Sequence, residues 1–306
     1  MKKTNLFLLP LLGLLYSPVI KAQQLPIYSQ YMLNDFSMNP AIAGTQDYFN
    51  VKSDNRFQWM GITDAPRTYI LTFDGPITSQ HMGIGTYVYT DITGPTRQTG
   101  VTAAYSYHLE LNKNLFLSFG ISAGLLQFSV DGQAITLIQQ NDQALVNQYE
   151  AALVPDFAAG AYLYSSKFYI GFSAPQIVPV EAKLNSFAGA NDQMVTHFYA
   201  SAGYKLDLGN NFRLDPSIEA NYVSPVPPQA DLGLRLLYMQ KFWIGGGYRT
   251  GDAAYALVGY TYMQNLTFGF SYDYPLTDIN KYSTGTTEIY IGIRFNKKKT
   301  PDHPMM

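Results

Sequence analysis

The sequence predicts an all-β fold, an antiparallel transmembrane outer-membrane β-barrel of about 14 strands with an N-terminal periplasmic lead-in or plug. Three observations predict it. Apolar and polar residues alternate with period two from Val51 to Phe295, the pattern of strands whose successive side chains face opposite ways. The runs last about ten residues, the length of a tilted membrane strand, whereas soluble strands are nearer five or six. The composition agrees: 14% of residues are charged, 15% are aromatic, 25 are Tyr and 25 are Gly, and mean hydropathy is -0.08. Lipid-facing and lumen-facing side chains cancel in such an average. A secreted β-sandwich shares part of this composition, so the patterning decides. A net charge of -2 supplies no basic stripe for nucleic acid. The absence of Cys excludes disulfides, thiolate chemistry and lipoprotein anchoring.

Taken in order, residues 1–22 read as a signal peptide. Lys2 and Lys3 form a positive start, Leu6 to Leu15 an apolar core, and Ala22 the small residue before cleavage. The apolar core is about ten residues long, where roughly 20 are needed to span a bilayer. Residues 23–50 form the lead-in, expected to fold back into the periplasmic mouth. Its plug residues are Tyr28, Gln30, Tyr31, Met32, Phe36, Asn39 and Pro40, with Tyr31, Met32 and Phe36 as apolar contacts.

The barrel is expected over residues 51–295. Strands are predicted to begin near Val51, Thr68, Met82, Gln98, Asn114, Val154 and Lys167, then near Met194, Asn211, Gln229, Lys241, Asp252, Asn265 and Ser283. Two segments alternate most cleanly. Leu115, Leu117, Phe119 and Ile121 interleave with Phe116, Ser118, Gly120 and Ser122; Leu266, Phe268, Phe270 and Tyr272 interleave with Thr267, Gly269, Ser271 and Asp273. In the last segment Glu288, Tyr290, Gly292 and Arg294 alternate with Ile289, Ile291, Ile293 and Phe295. Every second connection is tight, as at Gly75-Pro76, Ser165-Ser166 and Gln264-Asn265, whereas the intervening ones include the longest, 129–153, 175–193 and 275–282. Outer-membrane barrels segregate connections in this way, with short turns periplasmic and long loops outside. The connections near Ile92 and Gly251 are short exceptions. Residues 296–306, with Lys297, Lys298 and Lys299, read as a solvated periplasmic tail.

Extending the alternation assigns charges to the lumen: Lys52, Asp54 and Arg56, opposite Val51, Phe57 and Trp59; His108 and Glu110; Lys205 and Asp207; Arg213, Asp215 and Glu219; Asp231 and Arg235. An Arg or Lys facing lipid at the midplane would cost roughly 2–4 kcal/mol. Both signs occur along single strands, which favours an ion-pair lattice over a channel lined by one sign. Catalytic patterns are absent on inspection. His81, His108, His197 and His303 are scattered, without metal-ligand spacing; His108 and His197 can each meet a lumenal Ser, as almost any barrel histidine can, which alone makes no catalytic set. Gly245-Gly246-Gly247 are strand glycines, with no helix following to supply a phosphate cradle. The expectation is a protein without cofactor or enzymatic activity.

The lead-in holds Tyr28-Ser29-Gln30-Tyr31-Met32-Leu33-Asn34 and then Asn39-Pro40-Ala41-Ile42-Ala43-Gly44. Arg56-Phe57-Gln58-Trp59-Met60-Gly61 and Ala65-Pro66-Arg67-Thr68 follow. Later come Val154-Pro155-Asp156-Phe157, Phe242-Trp243-Ile244-Gly245, Ser271-Tyr272-Asp273-Tyr274 and Thr287-Glu288-Ile289. Together these resemble the PorP/SprF family of type IX secretion outer-membrane proteins. The sequence departs from that pattern at Thr286-Thr287, where relatives tend to carry Gly-His or Ser-His. The resemblance implies a non-enzymatic role in secreting and retaining a large adhesin of gliding motility, or in serving the periplasmic secretion ring. Expected partners are outer-membrane lipid, the adhesin's C-terminal region and other type IX secretion proteins. The loop carrying Gln133, Gln139, Gln140, Asn141, Gln143 and Gln148 beside Ile135, Leu137 and Leu145 suits protein contact, because amides give hydrogen bonds without the desolvation cost of charge. Folding of that loop inward to cap the barrel is an equal alternative. Two other functions stay open, a porin or hydrophobic small-molecule channel and an outer-membrane lipid hydrolase.

Overall fold

The computed structural model describes residues 25–77, 81–134, 149–182, 184 and 192–295. The signal segment, the basic tail, and Gln139, Gln140, Asn141, Gln143 and Gln148 of the long loop lie outside them. Fourteen antiparallel strands close into a barrel: β1 (Phe49–Met60), β2 (Arg67–Ile77), β3 (Met82–Thr93), β4 (Thr96–Asn112), β5 (Leu115–Asp131), β6 (Tyr149–Ser165), β7 (Phe168–Ala174), β8 (His197–Tyr204, continued by Leu206–Leu208), β9 (Phe212–Val223), β10 (Gln229–Tyr238), β11 (Phe242–Arg249), β12 (Ala253–Tyr262), β13 (Leu266–Pro275) and β14 (Gly285–Phe295). Each strand pairs with its neighbour in sequence, and β1 closes the ring on β14, with Val51 opposite Ile293 and Arg56 opposite Glu288. Closure leaves no free edge, which lipid would not tolerate.

Alternation sets the wall. Along β5, Ile121 is 65% exposed while its neighbour Ser122 is 8% exposed, so the apolar set faces outward. Ile170, Ile244 and Val258 are likewise exposed on other strands, as a lipid-facing belt requires. Exposed aromatics gather toward both ends. Tyr204, Phe212, Tyr238, Phe242 and Tyr262 lie at the short-turn end, and Phe198, Tyr222, Tyr248 and Tyr274 at the other. Several touch across strands, as Phe212 does Tyr238 at 5.0 Å between ring centres.

Strands β4, β5 and β6 run 17 residues each, more than the roughly 9–11 that cross a bilayer, and so project beyond it at the long-loop end. The loop expected over 129–153 is correspondingly shorter, because pairing persists to Asp131 opposite Tyr149. The loop after β7 turns inward. It forms a two-residue ladder, Glu181–Ala182 with Asp192–Gln193, and buries Ala182, Leu184 and Met194. Alternation also fails at the top of β1. The register against β14 shifts between Phe57 and Met60, and Trp59 adopts φ 48°. Trp59, expected on the outer face, instead lines the open mouth.

Candidate functional site

The lumen is filled by the chain's own lead-in. Its first described residue, Leu25, donates its amide to Nε2 of His197 at 3.3 Å, at the long-loop end. The chain then crosses the barrel through 3-10 turns at Asp35–Ser37 and Pro40–Ile42 and enters β1 at Phe49, at the short-turn end. The segment expected in the periplasmic mouth thus runs the length of the barrel. The reason is its dense complementarity to the wall on all sides.

The wall supplies hydroxyls to a segment whose backbone has no strand partner. Ser173 Oγ donates to the Met38 carbonyl at 2.7 Å, Ser118 Oγ to Ala41 at 2.7 Å and Ser106 Oγ to Ala43 at 2.6 Å. His108 joins them, its Nε2 2.9 Å from the Ala43 carbonyl and its Nδ1 3.0 Å from the Tyr164 hydroxyl; these partners fit Nε2 as donor and Nδ1 as acceptor. Asn39 accepts from the Ala41 amide and donates to the carbonyls of Ala161 and Phe172, so the Asn-Pro-Ala stretch starts a turn and fastens it to two strands. Glycines make the room. A Cβ on Gly120 would lie 2.2 Å from the Ala41 amide nitrogen, and one on Gly160 2.1 Å from Oδ1 of Asn39. Phe36, 1% exposed, packs with Ala41, Ile42, Phe116 and Tyr162. Met32 and Leu33 rest on Leu237, Trp243, Tyr255 and Leu257. The Tyr31 hydroxyl meets Ser217 Oγ at 2.8 Å.

A buried charged clamp holds the segment at Ser29. Glu288 accepts the amides of Ser29 at 2.8 Å and Gln30 at 3.0 Å. Ser29 Oγ donates to Asp273 at 2.6 Å and accepts from Arg249 at 2.8 Å. Arg56 binds Glu288 and, at 3.1 Å, Asp273. Arg249 binds Asp231, Asp252 and Asp273 at 3.0, 3.2 and 3.1 Å, and Tyr255 donates to the other Asp231 oxygen. Four of the stretches that carry the family resemblance meet here, through Ser29, Arg56, Asp273 and Glu288.

The lumenal charges named from sequence divide accordingly. Lys52, Arg56, Arg213, Asp215, Asp231 and Arg235 enter ion pairs. Asp54, Glu219 and Lys205 face inward, but both Asp54 oxygens, Glu219 Oε1 and Lys205 Nζ are buried without a hydrogen-bond partner. Glu110 and Asp207 do not join the lattice; both are exposed at the short-turn rim. Gln133 is exposed at the tip of the projecting β5. Sequence reasoning missed Arg249 as a lumenal charge. It placed Asp273 and Glu288 on polar faces without seeing their partners, and the signal for Arg249 was the cost of an arginine facing lipid. Among the described residues no group of His, Asp and Glu is arranged to hold a metal. A cavity of about 730 Å3 opens at the long-loop end around Leu25, Trp59, Asp91, His197 and Asp252.

The model of the PorP_SprF family, described as type IX secretion system membrane protein PorP/SprF, matches residues 20–293. Among solved structures, the toluene transporter TbuX of Ralstonia pickettii superposes with a TM-score of 0.52 at 10% identity, covering 86% of this chain and 93% of that one. The CymD monoaromatic hydrocarbon channel gives 0.49 at 12% identity, over 88% and 92%. Omp33 of Acinetobacter baumannii gives 0.43 at 11%, over 82% and 100%. At 10% identity the likeness to TbuX is one of fold. No curated protein matches the sequence.

Proposed function

Because the chain belongs to the PorP/SprF family of type IX secretion system membrane proteins and lies in the outer membrane, we propose that it is a non-enzymatic, plugged barrel that supports secretion and surface attachment of a large adhesin. The observation that carries this reading is the lead-in itself: a segment bonded to many strands and clamped by buried charge suits an anchor better than an open conduit. The projecting β4–β6 wall raises Gly132–Ala134 above the lipid, where the adhesin's C-terminal region would dock on amides such as Gln133. A gliding-motility adhesin is the kind of cargo the family resemblance implies, and the short-turn face is where periplasmic ring components would meet the barrel.

The test is capture of the tagged barrel from its native membrane, with partners identified by mass, together with replacement of residues 132–148 by a Gly-Ser turn. None of the described strands is removed, so the variant is expected to fold and to remain heat-modifiable on a gel while releasing the adhesin from the cell surface. A folded variant that keeps its adhesin would refute docking on this loop. Absence of type IX secretion proteins from the captured material would refute the wider role.

A further inference from the structure

At the short-turn end the lumen holds a cavity of about 220 Å3, apart from the clamp. Its charge is unevenly matched. On one side Lys52 engages two carboxylates, Asp35 at 3.5 Å and Asp74 at 4.0 Å. On the other, Asp215 stands among Lys205, Arg213 and Arg235. Arg213 forks onto both Asp215 oxygens at 2.8 and 3.1 Å, and Arg235 Nη2 takes one of them at 2.9 Å. The acids nearest Lys205, Asp215 and Asp35, are bonded to Arg213, Arg235 and Lys52 and form no ion pair with it. Its Nζ is buried with no hydrogen-bond partner, and so is Nε of Arg235. Asp207, opposite Arg213 in the strand pair, is exposed and makes no ion pair among the described residues. Arg294, at the rim, lies over the Tyr48 ring at 5.2 Å and adds no negative charge. An ammonium buried without a hydrogen-bonded counter-charge is costly and persists where an opposite charge completes it.

The local fold explains how Lys205 comes to stand there. Pro216 on β9 has no N–H to give the ladder, and β8 is interrupted at Lys205 before resuming over Leu206–Leu208 in the same register, with Gly203 opposite Ser217 and Leu206 opposite Leu214. We propose that this cavity is an oxyanion site, in which Lys205 and the unused edges of Arg213 and Arg235 hold a carboxylate or phosphate group that enters from the periplasmic side. Guanidinium forks and an ammonium are suited to that chemistry, and the volume admits a small acid or a single phosphate group. The site rests on its own geometry and stands apart from the proposed role in secretion.

Purified full-length barrel in detergent would be titrated with inorganic phosphate and, separately, with succinate, at ionic strength held constant with sodium chloride. A saturable rise in Tm with either anion is expected, and the stronger responder identifies the source of the oxyanion. Lys205→Met should weaken the apparent affinity by about tenfold or more, as loss of a charged hydrogen bond does, and Lys205→Arg should restore most of it. No rise beyond the chloride control would overturn the proposal. An equal response in Lys205→Met would overturn it too, by moving the binding elsewhere.

Discussion

At Ser29 an amide and a hydroxyl meet charged side chains from β1, β11, β13 and β14. A buried pair of this kind adds little net stability over an apolar replacement, but removing one member leaves the others uncompensated, at about 3–5 kcal/mol. Glu288→Ala is therefore expected to lower the temperature of heat modification and to expose the lead-in to protease, because the amides of Ser29 and Gln30 lose their acceptor and Arg56 loses one of its two carboxylates. A variant with unchanged melting and protection would show that the clamp does not hold the segment. Gly120→Val separates plug from wall more cleanly. Valine suits a strand, yet its Cβ would stand 2.2 Å from the Ala41 nitrogen. The barrel should form, and the turn at Pro40–Ile42 should become cleavable; continued protection would mean that the wall yields instead.

Among elements, the lead-in and the two sets of connections decide which way the molecule faces. Short turns lie at the end where Phe49 and Phe295 meet, whereas Leu25 reaches the opposite mouth beside His197. The chain has no Cys, so each introduced thiol is unique. Tyr282→Cys, at a site 74% exposed in the long-loop end, should react with an impermeant maleimide on intact cells. Ser166→Cys, in a short turn, should react only after the outer membrane is opened. Leu25→Cys should label from the same side as Tyr282→Cys. Labelling of Leu25→Cys from the periplasm alone would contradict a lead-in that threads the whole lumen.

For the whole molecule the question is passage. The lumen between the two cavities is occupied by Phe36, Tyr162 and Tyr164 in one cluster and by Trp243, Tyr255 and Leu257 in another, with the clamp between strands above them. Purified protein in a planar bilayer should show small or no steady conductance. Removal of residues 25–45 should give large, stable steps if the barrel assembles without them, and Gly120→Val covers the case in which it does not. Porin-like steps from the intact protein would instead favour the channel reading and weaken the anchoring one.

The barrel was legible in the sequence because lipid acts on each strand separately. A residue such as Ile121 or Ile244 must face outward whatever its neighbours do, so period-two alternation, run length and the placing of tight turns carry strand number and closure on their own. Inward direction was legible for the same reason, as at Lys52, Arg56 and Asp231. Which charges meet was not. Arg56 finds Glu288 because β1 closes on β14, and Asp273 and Arg249 arrive at Ser29 from 244 and 220 residues further along the chain. Such contacts depend on ring closure and register, which no local window contains. The same holds for Glu110 and Asp207, whose parity points inward although their height leaves them at the rim. The lead-in has no period at all. Its path was decided only in three dimensions, by small residues and hydroxyls contributed from many strands, each of which reads in sequence as an ordinary wall position.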